Sequence, residues 1–367
     1  MESEFEIFLV APPGLEPLLA AEAAEKGFDG ATVVPGGVAL RGGWPEVWRA
    51  NLWLRGATRV LARIGSFRAM HLAQLDKRAR KFPWAEVLRP DLPVQVEATC
   101  HASRIYHAGA TAERVERAIR EELGAPVGTG GVALKVRIAD DLVTLSLDTS
   151  GEALHIRGHK QAVNKAPMRE SLAALFLRAA GYTGQEPVMD PMCGSGTFVI
   201  EAAEIAAGLA PGRSRRFAFE DLASFDPVAW AAMKAAAVPQ DTPLRFAGSD
   251  RDDGAIRMSL ANAERAGVAG LCAFARCPVS EAEPPEGPPG LVIVNPPYGT
   301  RIGNPKLLFG LYGALGQRLK ARFAGWRVAL ITTDPGLARA TGLPFGPPGP
   351  FVPHGGLKVR LFTTPPL

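Results

Sequence analysis

No two of the four cysteines, Cys100, Cys193, Cys272 and Cys277, form a Cys-x-x-Cys pair, and only the last two lie close together. A zinc site wants tighter pairs with histidines alongside, and a disulfide framework wants a secreted context, so four reduced thiols and no metal are expected. No apolar run approaches the roughly 18–20 residues that cross a bilayer. The N-terminal "MESEFEIFLVAPPG" carries acids where a secretory signal would carry Lys or Arg, so the expected location is cytoplasmic, away from membranes. There is no internal repeat. With 47% apolar and 21% charged residues, neither disorder nor a fibrous architecture is indicated.

Charge is nearly balanced over the whole chain, at +4, but unevenly spread. Residues 41–120 hold 15 Lys/Arg against 7 Asp/Glu, whereas 166–367 hold 20 against 17, so the basic excess is local, as a phosphate-binding surface requires. Lys77, Arg78, Arg80 and Lys81 form the densest cluster, and Arg104, Tyr106 and His107 mix charge with aromatic surface. Such residues suit phosphate contacts that give affinity and register, although Tyr106 and His107 also suit packing at a domain edge. Trp84 reads as core.

At 367 residues, two or three domains are expected. Short strands mixed with single helices predict a small α+β unit at the N-terminus: a strand at 5–10, a helix ending at Gly27, and a hairpin over "ATVVPGGVALRG". Residues 46–75 read as mostly helical and basic. They are followed by a strand at 93–99, a helix at 111–123 and strands near 132–139 and 142–149. The polar stretch 151–168 reads as a linker. From 169 onward strands alternate with helices, which predicts a doubly wound, mostly parallel α/β sheet, interrupted by an excursion at 211–237.

Three motifs in that second half carry chemistry. "VMDPMCGSGTFVIEAAEIA" sets Gly194 and Gly196 between a strand and a helix, where glycine allows a tight turn and close approach of a ligand. The sequence lacks the third glycine of a dinucleotide fingerprint and the GK[ST] of a phosphate loop. Asp190 before the turn would repel a pyrophosphate but suit a ligand bearing an ammonium group, which points to an aminoacyl nucleoside. The next strand, "LRFAGSD", ends in Asp250, where a ribose diol would be held, unless that acid serves only as a helix cap or turn former.

"LVIVNPPYG" reads as a later central strand, and ligands of open α/β sheets bind beyond the carboxyl ends of the strands. Two prolines remove donors and stiffen the turn, so the Asn295 amide oxygen and the Pro296 carbonyl can both act as acceptors for an exocyclic amino group. Tyr298 would add a flat face for a planar base.

Asp190-Pro-Met-Cys-Gly-Ser-Gly-Thr197 with Asn295-Pro-Pro-Tyr298 resembles the amino-group methyltransferases that use S-adenosylmethionine. The strings "LHIRGHKQAVNKAPMRESLAA", "APGRSRRFAFE" and "NPPYGTRIG" resemble, more specifically, the bacterial THUMP-containing guanine-N2 RNA methyltransferases of the RlmL type, with "KFPW" and "SRIYHAG" falling where that family's THUMP motifs would lie. The resemblance implies a ferredoxin-like part over 1–50, a THUMP RNA-binding domain over 51–150, the linker, and a Rossmann-like methyltransferase domain over 169–367. It implies methylation of guanine N2 in 23S ribosomal RNA, with transfer RNA or adenine N6 of DNA as alternatives of the same chemistry, and a non-catalytic RNA-binding assembly factor as one of a different class. By the same resemblance Asp190, Cys193, Gly194, Ser195, Gly196 and Thr197 surround the methionine part of the cofactor. Asp250 takes the ribose, Arg169 closes the cofactor pocket, and Asn295, Pro296 and Tyr298 hold the guanine. Where many relatives place an acid for the adenine, this chain reads Arg276-Cys277-Pro278.

Overall fold

The computed structural model describes residues 4–161, 167–298 and 305–367, and the chain divides into two compact units. The first comprises Met1–Ala11, Leu19–Leu154 and Arg215–Ala236; the second comprises Pro12–Leu18, His155–Ser214 and Ala237–Leu367. Parts of two motif strings, 162–166 and 299–303, lie outside the described residues.

Through residue 148 the elements are β1 (Phe5–Val10), α1 (Glu16–Glu25), β2 (Thr32–Val34), β3 (Gly37–Gly42), α2 (Trp44–Trp53), β4 (Arg59–Arg68), α3 (Leu72–Arg80), β5 (Val94–His101), α4 (Ala108–Glu122), β6 (Val132–Ala139) and β7 (Leu142–Asp148). The strands form one seven-stranded sheet in the order β2-β3-β1-β4-β7-β6-β5, antiparallel except for β5 and β6. Residues 59–68 are therefore a central strand, not the helix expected for 46–75. Val60 and Ala62 are buried at period two, and the register shifts between Arg63 and Gly65, which breaks the simple alternation a strand should show. The expected boundary at residue 50 falls inside α2, and strands from both sides of it share this sheet.

Residues 215–236 of the expected excursion belong to the first unit, and 211–214 and 237 to the second. Phe217 and Phe219 stack at 5.2 Å, and Trp230 of α7 (Pro227–Ala235) meets Phe219 edge-on at 5.0 Å, with Trp48 of α2 beside them. All four rings are nearly inaccessible, so burial of large aromatic area holds 215–236 in that core.

In the second unit α5 (Glu170–Ala179) precedes β8 (Val188–Asp190), α6 (Thr197–Ala206), β9 (Phe246–Asp250), α8 (Asp253–Ala266), β10 (Cys272–Arg276), β11 (Leu291–Val294), α9 (Pro305–Arg322), β12 (Arg327–Thr332), α10 (Pro335–Ala340), β13 (Val352–His354) and β14 (Leu357–Thr363). The strand order is β10-β9-β8-β11-β12-β14-β13. Strands β8 to β12 run parallel, and β14 is antiparallel to both β12 and β13. This is the doubly wound α/β sheet expected. Every residue of β11 is buried, as a strand covered on both faces must be.

Part of the expected linker is built into this unit. Arg157, His159 and Met168 are buried, and Arg157 meets Glu201 of α6 at 3.4 Å.

Gly290 sets the entry to β11: a Cβ there would lie 2.0 Å from the Pro187 carbonyl oxygen, next to the Leu291 amide bond to that same oxygen. Gly290→Ala should therefore destabilise the protein by about 1–3 kcal/mol or more. Gly270→Ala, which meets nothing within 4 Å, should stay within about 0.5 kcal/mol of the parent. Urea unfolding of the three proteins checks this, and equal midpoints would show that the strand entry has slack.

Candidate functional site

The loop between β8 and α6 is held open by its own backbone. Gly194 and Gly196 have φ of +56° and +80°. At Gly196 a Cβ would also press on Ser259 Oγ at 3.0 Å and the Phe274 ring at 3.2 Å, so only glycine fits. At Gly194 a Cβ would meet nothing within 4 Å, which leaves a backbone surface that a ligand can approach closely.

Helix α8 fixes this loop from behind. Ser259 Oγ donates to the Gly194 carbonyl at 3.0 Å, and Asn262 Nδ2 donates to the Ser195 carbonyl at 3.0 Å. Both side chains are fully buried. The sequence reading missed them, although polar residues three apart among Ala255, Ile256, Ala263 and Ala266 on one buried helix face are a visible signal. Cys193 is buried with its sulfur 3.8 Å from Ser259 Oγ, and burial pushes its thiol pKa well up, so it packs the loop and is not a nucleophile.

Two carboxylates stand beside the loop. Asp190 is 3% exposed and accepts the Met192 amide at 3.0 Å. Burial pushes its carboxyl up to about 8 against the help of that amide, and the charge of Asp250 pushes the same way. Asp250 ends β9; its Oδ2 accepts the Gly194 amide at 3.1 Å and its Oδ1 the Asp252 amide at 3.0 Å. The helix cap itself is Asp252, which accepts from Gly254 and Ala255. Asp250 thus ties the loop to the adjacent strand and makes a local turn, while each oxygen keeps a second lone pair.

Strand β8 pairs with β11 with Val188 opposite Leu291 and Met189 opposite Val292, so Asp190 and Asn295 leave the same sheet edge side by side. Asn295 Oδ1 is buried and has no hydrogen-bond partner among the described residues. Behind the turn, the Tyr312 hydroxyl of α9 lies 3.4 Å from the Pro297 carbonyl and 3.3 Å from Thr332 Oγ, a brace that sequence alone did not indicate. Tyr298 is fully buried, so its ring offers no open face; it anchors the turn, which departs from the stacking platform expected of it.

Arg169 is the N-cap residue of α5 and is exposed; its carbonyl accepts the Ala173 amide at 2.9 Å, and its side chain engages no partner among the described residues. It lines a cavity of about 350 Å³ with Arg157, Lys160 and His354. Arg276 donates to the Arg251 carbonyl at 3.3 Å, and the Cys277 amide donates to the Asp250 carbonyl at 2.9 Å, so this segment tracks β9 closely.

On the first unit the basic cluster separates. Lys77, Arg78 and Lys81 are exposed. Arg80 is bound by Asp76, Glu121 and Glu122, at 2.9 Å for the last, and Arg117 also holds Asp76 at 2.7 Å, so Arg80 staples α3 to α4. Hydrogen bonding to Glu121, above all, raises its pKa further. His107 Nδ1 accepts the Ala110 amide at 3.0 Å and so caps α4. Tyr106 is 83% exposed, and Arg104 lies beside Met70 and Asp141. Trp84 is buried, with its indole N–H on the Ala79 carbonyl. Among the described residues there is no cluster of metal ligands and no helix long and apolar enough to cross a membrane.

Because Asp190 is protonated more readily when folded than when unfolded, it favours the folded state fully below about pH 4, and that contribution is lost as pH rises toward about 8. Asp190→Asn should remove it. In unfolding titrations without ligand at pH 5, 6.5 and 8, the variant should gain stability relative to the parent as pH rises; a constant difference would mean that Asp190 is not the strained acid described.

A family model described as "RMKL-like, methyltransferase domain" matches residues 157–343, and one for the "RlmL ferredoxin-like domain" matches 6–61. A curated relative from Allochromatium vinosum, "Ribosomal RNA large subunit methyltransferase K/L", is 37% identical over 360 residues, covering 93% of this chain and 49% of the relative. The chain spans about half the length of the curated relatives it matches first. A solved structure from Listeria monocytogenes, described as a predicted N6-adenine-specific DNA methylase, is 31% identical with a TM-score of 0.88, covering 98% of this chain and 96% of that one. Another, SMU.472, a putative methyltransferase complexed with SAH, is 25% identical with a TM-score of 0.89, covering 100% and 99%. With its sheet, its glycine loop and its Asn-Pro-Pro-Tyr turn, the chain belongs to the RMKL-like methyltransferase family.

Proposed function

We propose that this chain transfers a methyl group from S-adenosylmethionine to the exocyclic N2 amino group of a guanine in 23S ribosomal RNA. The observation that carries the reading is Asn295 Oδ1, a buried acceptor left without a partner at the strand edge next to the glycine loop. A buried unpaired acceptor costs about 1–3 kcal/mol, and an amino group in the crevice would satisfy it.

The donor set suits the cofactor. Asp190 is a buried carboxylate in want of a positive partner, Asp250 retains lone pairs for ribose hydroxyls, and the open face of Gly194 admits the ligand's backbone. Cys193, Ser195 and Gly196 of the loop, with Thr197 at the start of α6, shape that pocket. Bound there, S-adenosylmethionine supplies a methyl carbon activated by its sulfonium.

A base amino group is a weak nucleophile because its lone pair is delocalised into the ring. Asn295 Oδ1 and the Pro296 carbonyl accept its two hydrogens, favour a tetrahedral nitrogen, and stabilise the positive charge that develops there. The nitrogen becomes acidic once alkylated, so its proton leaves without a strong base. Tyr298 and Tyr312 keep the turn rigid. Lys77, Arg78 and Lys81, with Arg104 and the exposed ring of Tyr106, are the proposed RNA contacts of the first unit, which we read as carrying the THUMP-like function; Arg80 and His107 support those contacts through α3 and α4. Ribosomal RNA as substrate places the reaction in the cytoplasm.

Incubation of labelled cofactor with unmodified ribosomal RNA, transfer RNA and DNA in separate reactions, followed by digestion to nucleosides, tests the reading: N2-methylguanosine from the ribosomal RNA is expected. Label in transfer RNA instead would move the substrate, and label in N6-methyladenine of DNA would favour the alternative that the Listeria protein's description suggests. Asn295→Ala should lower turnover by about 10²–10³-fold with cofactor affinity nearly unchanged; equal loss of cofactor affinity would show that Asn295 belongs to the cofactor pocket. Charge reversal at Lys77 and Arg78 should weaken RNA binding and flatten its salt dependence, and an unaltered slope would remove them from the interface.

A further inference from the structure

The cavity of about 350 Å³ in the second unit is lined by His155, Arg157, Lys160, Arg169, Glu170 and His354, among others. Of the three Lys and Arg side chains among the described lining residues, two are matched by carboxylates: Arg157 by Glu201 at 3.4 Å, and Lys160 by Glu170 at 3.3 Å, with Lys160 Nζ also on the Met168 carbonyl at 2.6 Å. The third, Arg169, is exposed at the start of α5 and has no partner among the described residues. Its position adds a free guanidinium to the positive end of a ten-residue helix.

The sheet fixes where this cavity opens. Strand β13 runs parallel to β12 and β11, because β14 is antiparallel to both β12 and β13. His354 therefore ends its strand at the same carboxyl edge as Asn295. Following the pairing from Val294 through Leu330 to Phe362, and then along β14 to Leu357 opposite His354, the hairpin extends about five residues, roughly 17 Å, past the end of β11. It projects beyond the carboxyl edge, three strands along from β11.

The Lys160–Glu170 pair also borders a small gap, of about 10 Å³, against Ser195 and Thr197. That pair thus borders both the gap beside the glycine loop and the cavity with Arg169 and His354.

We propose that this cavity, with Arg169 as its free cation, binds a backbone phosphodiester of the RNA strand whose base occupies the Asn295 crevice. The inference rests on the proposed function for the identity of the strand, and it reassigns Arg169 from closing the cofactor pocket to seating the substrate. The planar guanidinium is suited to two oxygens of one phosphate, and a lysine in its place keeps the charge without that fork.

The test uses the full chain, its Arg169→Gln variant and its Arg169→Lys variant. Affinity for a labelled ribosomal RNA fragment is measured over a range of salt, affinity for S-adenosylmethionine by calorimetry, and binding of inorganic pyrophosphate by phosphorus line broadening. Arg169→Gln should bind the RNA about tenfold more weakly, lose about 0.7 from the salt slope, and broaden pyrophosphate less, with cofactor affinity retained. Arg169→Lys should recover the slope. Unchanged slope and pyrophosphate binding in Arg169→Gln would overturn the proposal, as would a loss confined to the cofactor. If the parent binds pyrophosphate through Arg169 yet methylates no RNA, the anion site stands and the proposed function falls.

Discussion

Strands β8 and β11 lie side by side in a parallel register, and the candidate site depends on that pairing. Neighbouring parallel strands are about 4.8 Å apart, so the turns that leave them emerge next to each other. The chain places its glycine turn after one and its stiff Asn-Pro-Pro turn after the other. Strand β9 completes the arrangement from the opposite side, since Asp190 pairs with Gly248 and brings Asp250 to the Gly194 amide. A slip of one residue in this register would turn each side chain to the other face, and the buried apolar run of β11 resists such a slip.

Two groups at that edge are held in states a stable core avoids. Asp190 is a buried carboxyl whose ionised form is disfavoured, and Asn295 Oδ1 is a buried acceptor without a partner among the described residues. Their surroundings hold them firmly: Ser259 and Asn262 grip the loop, and Tyr312 braces the turn. A rigid frame around unsatisfied groups is a preorganised site, because the penalty is incurred in folding and relieved by the ligand.

The site's motifs were legible because each is local. A glycine turn, an acid at a strand end and Asn-Pro-Pro-Tyr are read from a few consecutive residues, and alternation of strands with helices gave the parallel sheet. What escaped were features that depend on distant partners. Arg80 looks like its neighbours in sequence, yet Asp76, Glu121 and Glu122 occupy its guanidinium. His107 looks like surface and acts as a cap. Strand β4 hid behind arginines on its exposed face, and the aromatic residues of 215–236 gave no sign that their core is that of the first unit. Ser259 and Asn262 could have been found from polarity on a buried helix face, and Tyr312 could not.

The segment 155–161 was the least legible, since its polar composition suits a tether as well as a wall. Its burial is energetically unfavourable on its own: taking Arg157 and Glu201 from water costs several kcal/mol per ion before their attraction is counted. His159 makes the case stronger. Burial lowers its pKa, so at neutral pH its 3.8 Å approach to Glu204 is not a charged pair, while Arg213 takes that carboxylate at 2.5 Å and Arg265 donates to the His159 carbonyl at 2.7 Å. An apolar packing of similar volume would hold the segment against α6 at less expense, but without directionality. Charged pairs with fixed geometry set the segment's register along α6, the helix that begins at the glycine loop, and that register decides which side chains face the cavity. The ionic cluster is therefore better understood as what positions one side of the cavity lined by Arg157 and Arg169 than as a source of stability.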